Sequence, residues 1–213
     1  MQRSPSMLKH IVFSLAIVAG PALAACGDDN HHEEEEASAL DQGNTRGQAL
    51  QTQVDQVFAG CSESDAIAQA AGIVIAINNG EIAEANFVLS KPGIPRVQAL
   101  ATQFVTDHQA SNAAVLSLLQ ARSLAPLDTP ISQTLHDEAQ AGVAQLEADL
   151  PRNLDIDYVE MQIAMHQEAS LIVSAVRDAM PASASDMRGL LSDTLTTIND
   201  HLVHAQIVLR DLP

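Results

Sequence analysis

From about residue 64 to the C-terminus, apolar residues recur every three or four positions. That is the period of a helix with one buried face, and the strict alternation of a strand is missing. Breakers divide the stretch: Lys91-Pro92-Gly93 closes a first segment, Ala125-Pro126 with Thr129-Pro130 a second, Pro151 a third and Met180-Pro181 a fourth. The pattern predicts helices near 65–90, 95–122, 130–149, 153–180 and 184–211. Four of them would each run ~40 Å at 1.5 Å per residue. Long amphipathic helices joined by short turns make a bundle, so the predicted fold class is all-α.

Written at helical spacing, the stripes become informative. The first carries Val74, Asn78, Glu81 and Ala85; the second, Leu100, Phe104, His108 and Ser111. The fourth carries Tyr158, Gln162, His166 and Ala169; the last, Ile198, His201 and Ala205. Each long helix thus breaks its apolar stripe with one titratable residue near its middle: Glu81, His108, His166 and His201. Mid-helix positions share one level whichever way neighbouring helices run. These four residues are therefore expected to converge inside the bundle.

Imidazoles with a carboxylate suit zinc, copper or ferrous iron, so the cofactor expectation is a divalent metal or copper. Met161 and Met165 flank the His166 turn, and their thioethers would favour copper(I) if they point inward. His204 lies one turn after His201, and Gln162 and Tyr158 lie one and two turns before His166; all three are candidates for a supporting hydrogen-bond network. Asp107 and Asp200 each precede a histidine, but adjacent helical residues face apart, so neither is assigned to it. His136, on the short third helix, is expected at the surface. A metal-free reading stands beside this one: a buried Glu can pair with a protonated His, and the other imidazoles can hydrogen-bond to neighbours.

Charge narrows the function classes. The chain has 10 basic and 27 acidic side chains, a net charge of −17, and aromatics at 2%. An acidic chain without a basic cluster or stacking platforms does not bind nucleic acid. Residues 27 to 60 hold eight acids and only Arg46 among the basic types, with Gly43 and Gly47 between polar residues. That composition reads as a disordered acidic tether over 26–63, dispensable for folding. Its His31-His32-Glu33-Glu34-Glu35-Glu36 tract is either a loose metal-binding run or a solvated charge block.

The N-terminus reads as an address. Residues 1–25 form a signal peptide, with Arg3 and Lys9 ahead of an apolar run from Ile11 to Ala19. Leu23-Ala24-Ala25-Cys26 looks like a bacterial lipobox, whose cysteine is lipidated and heads the mature chain. Cleavage after Ala24 is the alternative. By likeness to known bacterial lipoproteins, in which aspartate after the cysteine implies retention at the inner membrane, Gly27 leads to an expectation of the outer membrane. The expected location is its periplasmic face, with the membrane held through lipid on Cys26 and no other segment long enough to cross a bilayer. Cys61 is then a lone thiol.

Residues 65 to 212 resemble the bacterial family called domain of unknown function 4142, exported helical proteins described as ferritin-like. The likeness rests on Asn79-Gly80-Glu81-Ile82, Pro95-Arg96-Val97, Val105-Thr106-Asp107-His108, then Asp155 and Tyr158 with Gln162 and His166, and His201-Leu202 with His204-Ala205. Leu154 and Phe104 depart from it by apolar exchanges. Asp155-x-x-Tyr158 with Gln162 and His166 is also similar to the shorter domain of unknown function 305 family, for which copper binding has been proposed. The resemblance implies a ferritin-like four-helix bundle with an extra short helix over 64–213. It also adds Asp155 to the network, and it supplies no activity.

Two functional expectations follow: a metal-binding envelope lipoprotein serving metal homeostasis or envelope stress, or a metal-free structural or interaction module. A di-iron oxidoreductase fits less well, because such sites use several carboxylates with Glu-x-x-His pairs and this chain has no Glu-x-x-His. Nucleophile motifs and phosphate-binding glycine loops are also missing, so the chain is not expected to be an enzyme.

Overall fold

A computed structural model of the chain describes residues 31–148 and 153–212. The signal segment and Cys26 lie outside them. Among the described residues there are six helices and no strand: α1 (His31–Phe58), α2 (Glu63–Leu89), α3 (Pro95–Ala121), α4 (Pro130–Ala148), α5 (Leu154–Ala179) and α6 (Ser185–Arg210). The five predicted helices appear within two residues of their expected bounds, and α1 is additional.

Local chemistry sets the ends. Ser62 caps α2 by accepting the Asp65 amide at 3.1 Å, with Glu63 and Asp65 in the positive first turn. Thr129 and Ser132 cap α4 reciprocally, each hydroxyl accepting the other's amide at 3.0 and 2.7 Å. Pro95 starts α3, and the Ile94 amide before it donates to the Asp155 carboxylate at 2.9 Å. Gly93 lets this α2–α3 turn approach α5, because a Cβ there would lie 2.6 Å from both Asp155 Oδ1 and Gln98 Nε2.

Helices α2, α3, α6 and α5 pack in that cyclic order, while α4 lies on α2 and α1 lies along α5. Helix α2 is long and apolar enough to cross a bilayer, contrary to the expectation that no segment is; yet 67% of its most apolar window is buried in the bundle, which suits a central core helix.

The disordered tether is overturned for residues 31–58. They form α1, and Ala39, Leu50, Val54 and Phe58 are buried along one side of it. Gly43 and Gly47, read as flexible, continue that side. A Cβ at Gly43 would collide with the Ala164 carbonyl, and one at Gly47 would lie 2.8 Å from Leu171. Small residues thus bring the two backbones close, and Arg46 bridges to Glu168 at 3.0 Å. The acids that dominate the composition lie mostly away from the packed side. His32, in the first turn of α1, is tied to Glu35 and to the Leu212 carbonyl, both at 3.0 Å.

The apolar core is in two parts. One is built around Ile67, Ile73, Leu119, Ile172 and Leu191. The other gathers Val88, Phe104, Tyr158, Ile163 and Val208. Between them, at the middle of the four central helices, lies a polar layer.

Candidate metal centre

The layer contains all four residues that interrupt the stripes, each no more than 2% exposed. His108 Nε2 makes a close ion pair with Glu81 Oε2, and His166 Nε2 lies 3.5 Å from that oxygen. His166 Nε2 is 3.2 Å from His201 Nδ1. The three histidines each offer one ring nitrogen to a group lying within 4.8 Å of one another. Phe104 stacks on His201 with ring centroids 4.3 Å apart and leans on His166 at 4.8 Å, so an apolar wall closes one side.

The outward nitrogens settle how the inward ones must behave. His166 Nδ1 donates to the Gln162 backbone carbonyl at 2.8 Å, which only accepts. His201 Nε2 donates to the Asp107 carboxylate at 2.9 Å. His108 Nδ1 donates to Asn78 Oδ1 at 2.9 Å, an atom fixed as acceptor because Asn78 Nδ2 donates to Ser111 and Asn112. Each outer nitrogen therefore carries a hydrogen, which leaves His166 Nε2 and His201 Nδ1 as lone pairs when their rings are neutral. His108 differs: its Nε2 is the donor in the close pair with Glu81 Oε2, so that ring carries hydrogens on both nitrogens. Glu81 Oε1 has no hydrogen-bond partner among the described residues.

Burial alone pushes the Glu81 carboxyl up, but the charges of His108 and His166, a hydrogen bond from His108 and the charge of His201 outweigh it and hold it down to about 2. Burial drives His166 down to about 4 against the pull of Glu81. His201 is also lowered by burial, with the Asp107 hydrogen bond opposing. Near neutral pH the layer is thus an anionic carboxylate facing at least one neutral imidazole.

The supporting residues divide. Gln162 serves through its backbone, while its side chain donates to buried Glu84 at 2.8 Å. Burial and the neighbouring Glu81 charge keep the Glu84 carboxyl well above its ordinary value. The fully buried Tyr158 hydroxyl has no hydrogen-bond partner, imidazole or other, among the described residues. Asp155 is not in the network; it anchors the α2–α3 turn. His204 sits at the rim, bonded to Gln103 at 3.0 Å. Met161 lies beside Gly142 and Met165 beside Gly80, on the side of α4, so no thioether joins the cluster. His136 is exposed, as expected. The residues sequence reasoning missed are Asn78, Asp107 and Glu84. Asp107 does face away from its neighbour His108, but toward α6, where it meets His201.

Fold and site together define a helical bundle with a buried layer of three histidines and a carboxylate. A family described as "Domain of unknown function (DUF4142)" matches residues 51–208, and the chain belongs to it. No curated protein and no solved structure matches the chain.

Proposed function

We propose that the chain is a ferritin-like, metal-binding lipoprotein, held by lipid on Cys26 at the periplasmic face of the outer membrane. Its polar layer takes up one divalent ion for metal homeostasis or envelope stress, without turnover. The observation that carries the reading is the convergence of three imidazole nitrogens on a buried carboxylate, two of them lone pairs that face each other at 3.2 Å. Such a set calls for a cation. Histidine ligands characteristically donate their other N–H to a carboxylate or carbonyl, as all three do here. Ligand bonds of ~2.0–2.1 Å in a tetrahedral site put neighbouring ligand atoms ~3.4 Å apart. The spacings of 3.2 Å from His166 to His201 and 3.5 Å from His166 to Glu81 suit that geometry, and the closer His108–Glu81 pair must open to admit the ion. Nitrogen and oxygen donors without sulfur favour zinc, copper(II) or ferrous iron over copper(I).

The close His108–Glu81 pair supports a second reading, a metal-free structural or interaction module in which protons take the place of the ion. Metal analysis of the untagged chain decides between them. About one ion per chain, lost in His166→Ala and kept in His136→Ala, supports the centre. Metal-free protein after incubation with zinc, copper and ferrous iron leaves the module.

A further inference from the structure

A groove of about 660 Å³ runs between α3 and α6, and it ends on the centre. Its walls include Asp107, Asp193, Asp200, Thr197 and His201, and no lysine or arginine lines it. Asp186, at its far end, is neutralised by Arg122 at 2.7 Å. Of the three imidazoles, only His201 lines the groove. His201 is 1% exposed, whereas the Asp107 side chain is 39% exposed, so the carboxylate meets solvent and the ring does not. His201 spans the boundary: Nε2 is held by Asp107 on the groove side, and Nδ1 faces His166 on the inner side. Behind it lies the fully buried Glu81, with one carboxylate oxygen lacking any hydrogen-bond partner.

We infer that the α3–α6 groove is the ion's way into the centre, with Asp107 its first contact and His201 the ring that passes it inward. This rests on the metal-binding reading and goes beyond it by naming the route. Uncompensated carboxylates along a cleft concentrate cations and raise their capture rate, an effect that salt screens. The transfer costs one hydrogen bond: as His201 turns, Asp107 gives up the ring N–H and holds the incoming cation instead.

The test uses Co²⁺, a borderline ion with visible absorption in nitrogen–oxygen sites, mixed rapidly with the metal-free chain. Two variants leave every inner residue untouched. Asp193→Asn/Asp200→Asn removes charge from the groove, and Thr197→Trp obstructs it. At low salt the first should load about 3–10-fold more slowly and lose most of its salt dependence. The second should load at least about tenfold more slowly at any salt. Both should reach the wild-type final absorbance, with unchanged melting temperature in the metal-free form. Wild-type final loading with rates within about twofold in both variants overturns the route and leaves the metal centre standing. Wild-type protein that binds no Co²⁺, zinc or copper overturns both.

Discussion

His166 Nε2 and His201 Nδ1 lie 3.2 Å apart across 35 positions of sequence, and the partner of each ring's other nitrogen leaves both with a lone pair. Two lone pairs at that distance repel unless a proton or a metal ion lies between them.

Removing one ring tests that repulsion from the other side. In metal-free protein, His166→Ala should destabilise by roughly 1–3 kcal/mol, because it removes a fully buried ring that packs on Phe104 and donates to the Gln162 carbonyl. Urea unfolding in the presence of chelator measures it. A variant as stable as wild type would mean that the layer holds nothing together without metal.

Asp107 should matter through His201 rather than by touching the ion at rest. Asp107→Ala should weaken metal affinity about 10–100-fold, and Asp107→Asn, which keeps an acceptor, should recover part of that. Competition with a chromophoric chelator resolves the two. Equal losses would indicate charge alone, without orientation of the ring.

Helix α1 should be required for stability. Gly43→Val pushes a side chain into the Ala164 carbonyl and should cost about 1–3 kcal/mol, with faster proteolysis inside α1. A chain beginning at Ser62 loses buried Leu50, Val54 and Phe58 from the core, and on the order of 5 kcal/mol with them. Unchanged melting of that shortened chain would restore the tether reading.

Stability should fall between mildly acid and mildly alkaline pH through Glu160. Burial, with the nearby Glu35 and Asp157 charges, raises its carboxyl to about 8. The folded state then binds a proton that the unfolded state has already released. Stability from this group is complete below the ordinary carboxylate pKa, declines as pH rises toward about 8, and is flat beyond. Glu160→Gln should therefore gain roughly 1–2 kcal/mol over wild type at pH 9 and almost nothing at pH 4, the partial exposure of the side chain keeping the gain small. Equal gains at both pH values would assign the effect to packing.

The anchor has its own test. Cys26→Ser should move the protein from the membrane to the soluble periplasmic fraction. Labelled fatty acid incorporated into the variant as into wild type would place the lipid elsewhere.

The bundle was legible because proline and glycine punctuate it and because long stripes are hard to mistake. The four central residues were legible for a related reason: a titratable side chain on an apolar stripe, at the same depth in four helices, has one place to go. Asp107 was not, since neighbour rules on a single helix say nothing about α6, which lies 94 positions away. The two methionines had the right spacing and the wrong side, and only the docking of α4 on α2 reveals where they turn. Helix α1 was hidden by composition. Its buried side runs through Ala39, Gly43, Gly47 and Leu50, and glycine contributes to packing by letting another backbone approach, which hydropathy does not record.

The hydrogen bond from His32 to the Leu212 carbonyl sets the start of α1 beside the end of α6, and this changes the protein's reach. A lipid on Cys26 would have been joined to a bundle starting at residue 64 by a leash of roughly 120 Å at full extension. With α1 in the bundle, only four residues separate Cys26 from His31, and the five Cα-to-Cα steps between them reach at most roughly 17 Å. On the proposed anchoring, the chain would stand close to the bilayer, with the end bearing His32 and Leu212 toward the lipid and the imidazole layer half a helix length, about 20 Å, from that end. An ion held there would then be exchanged with whatever diffuses along the membrane surface, not with partners across the width of the compartment.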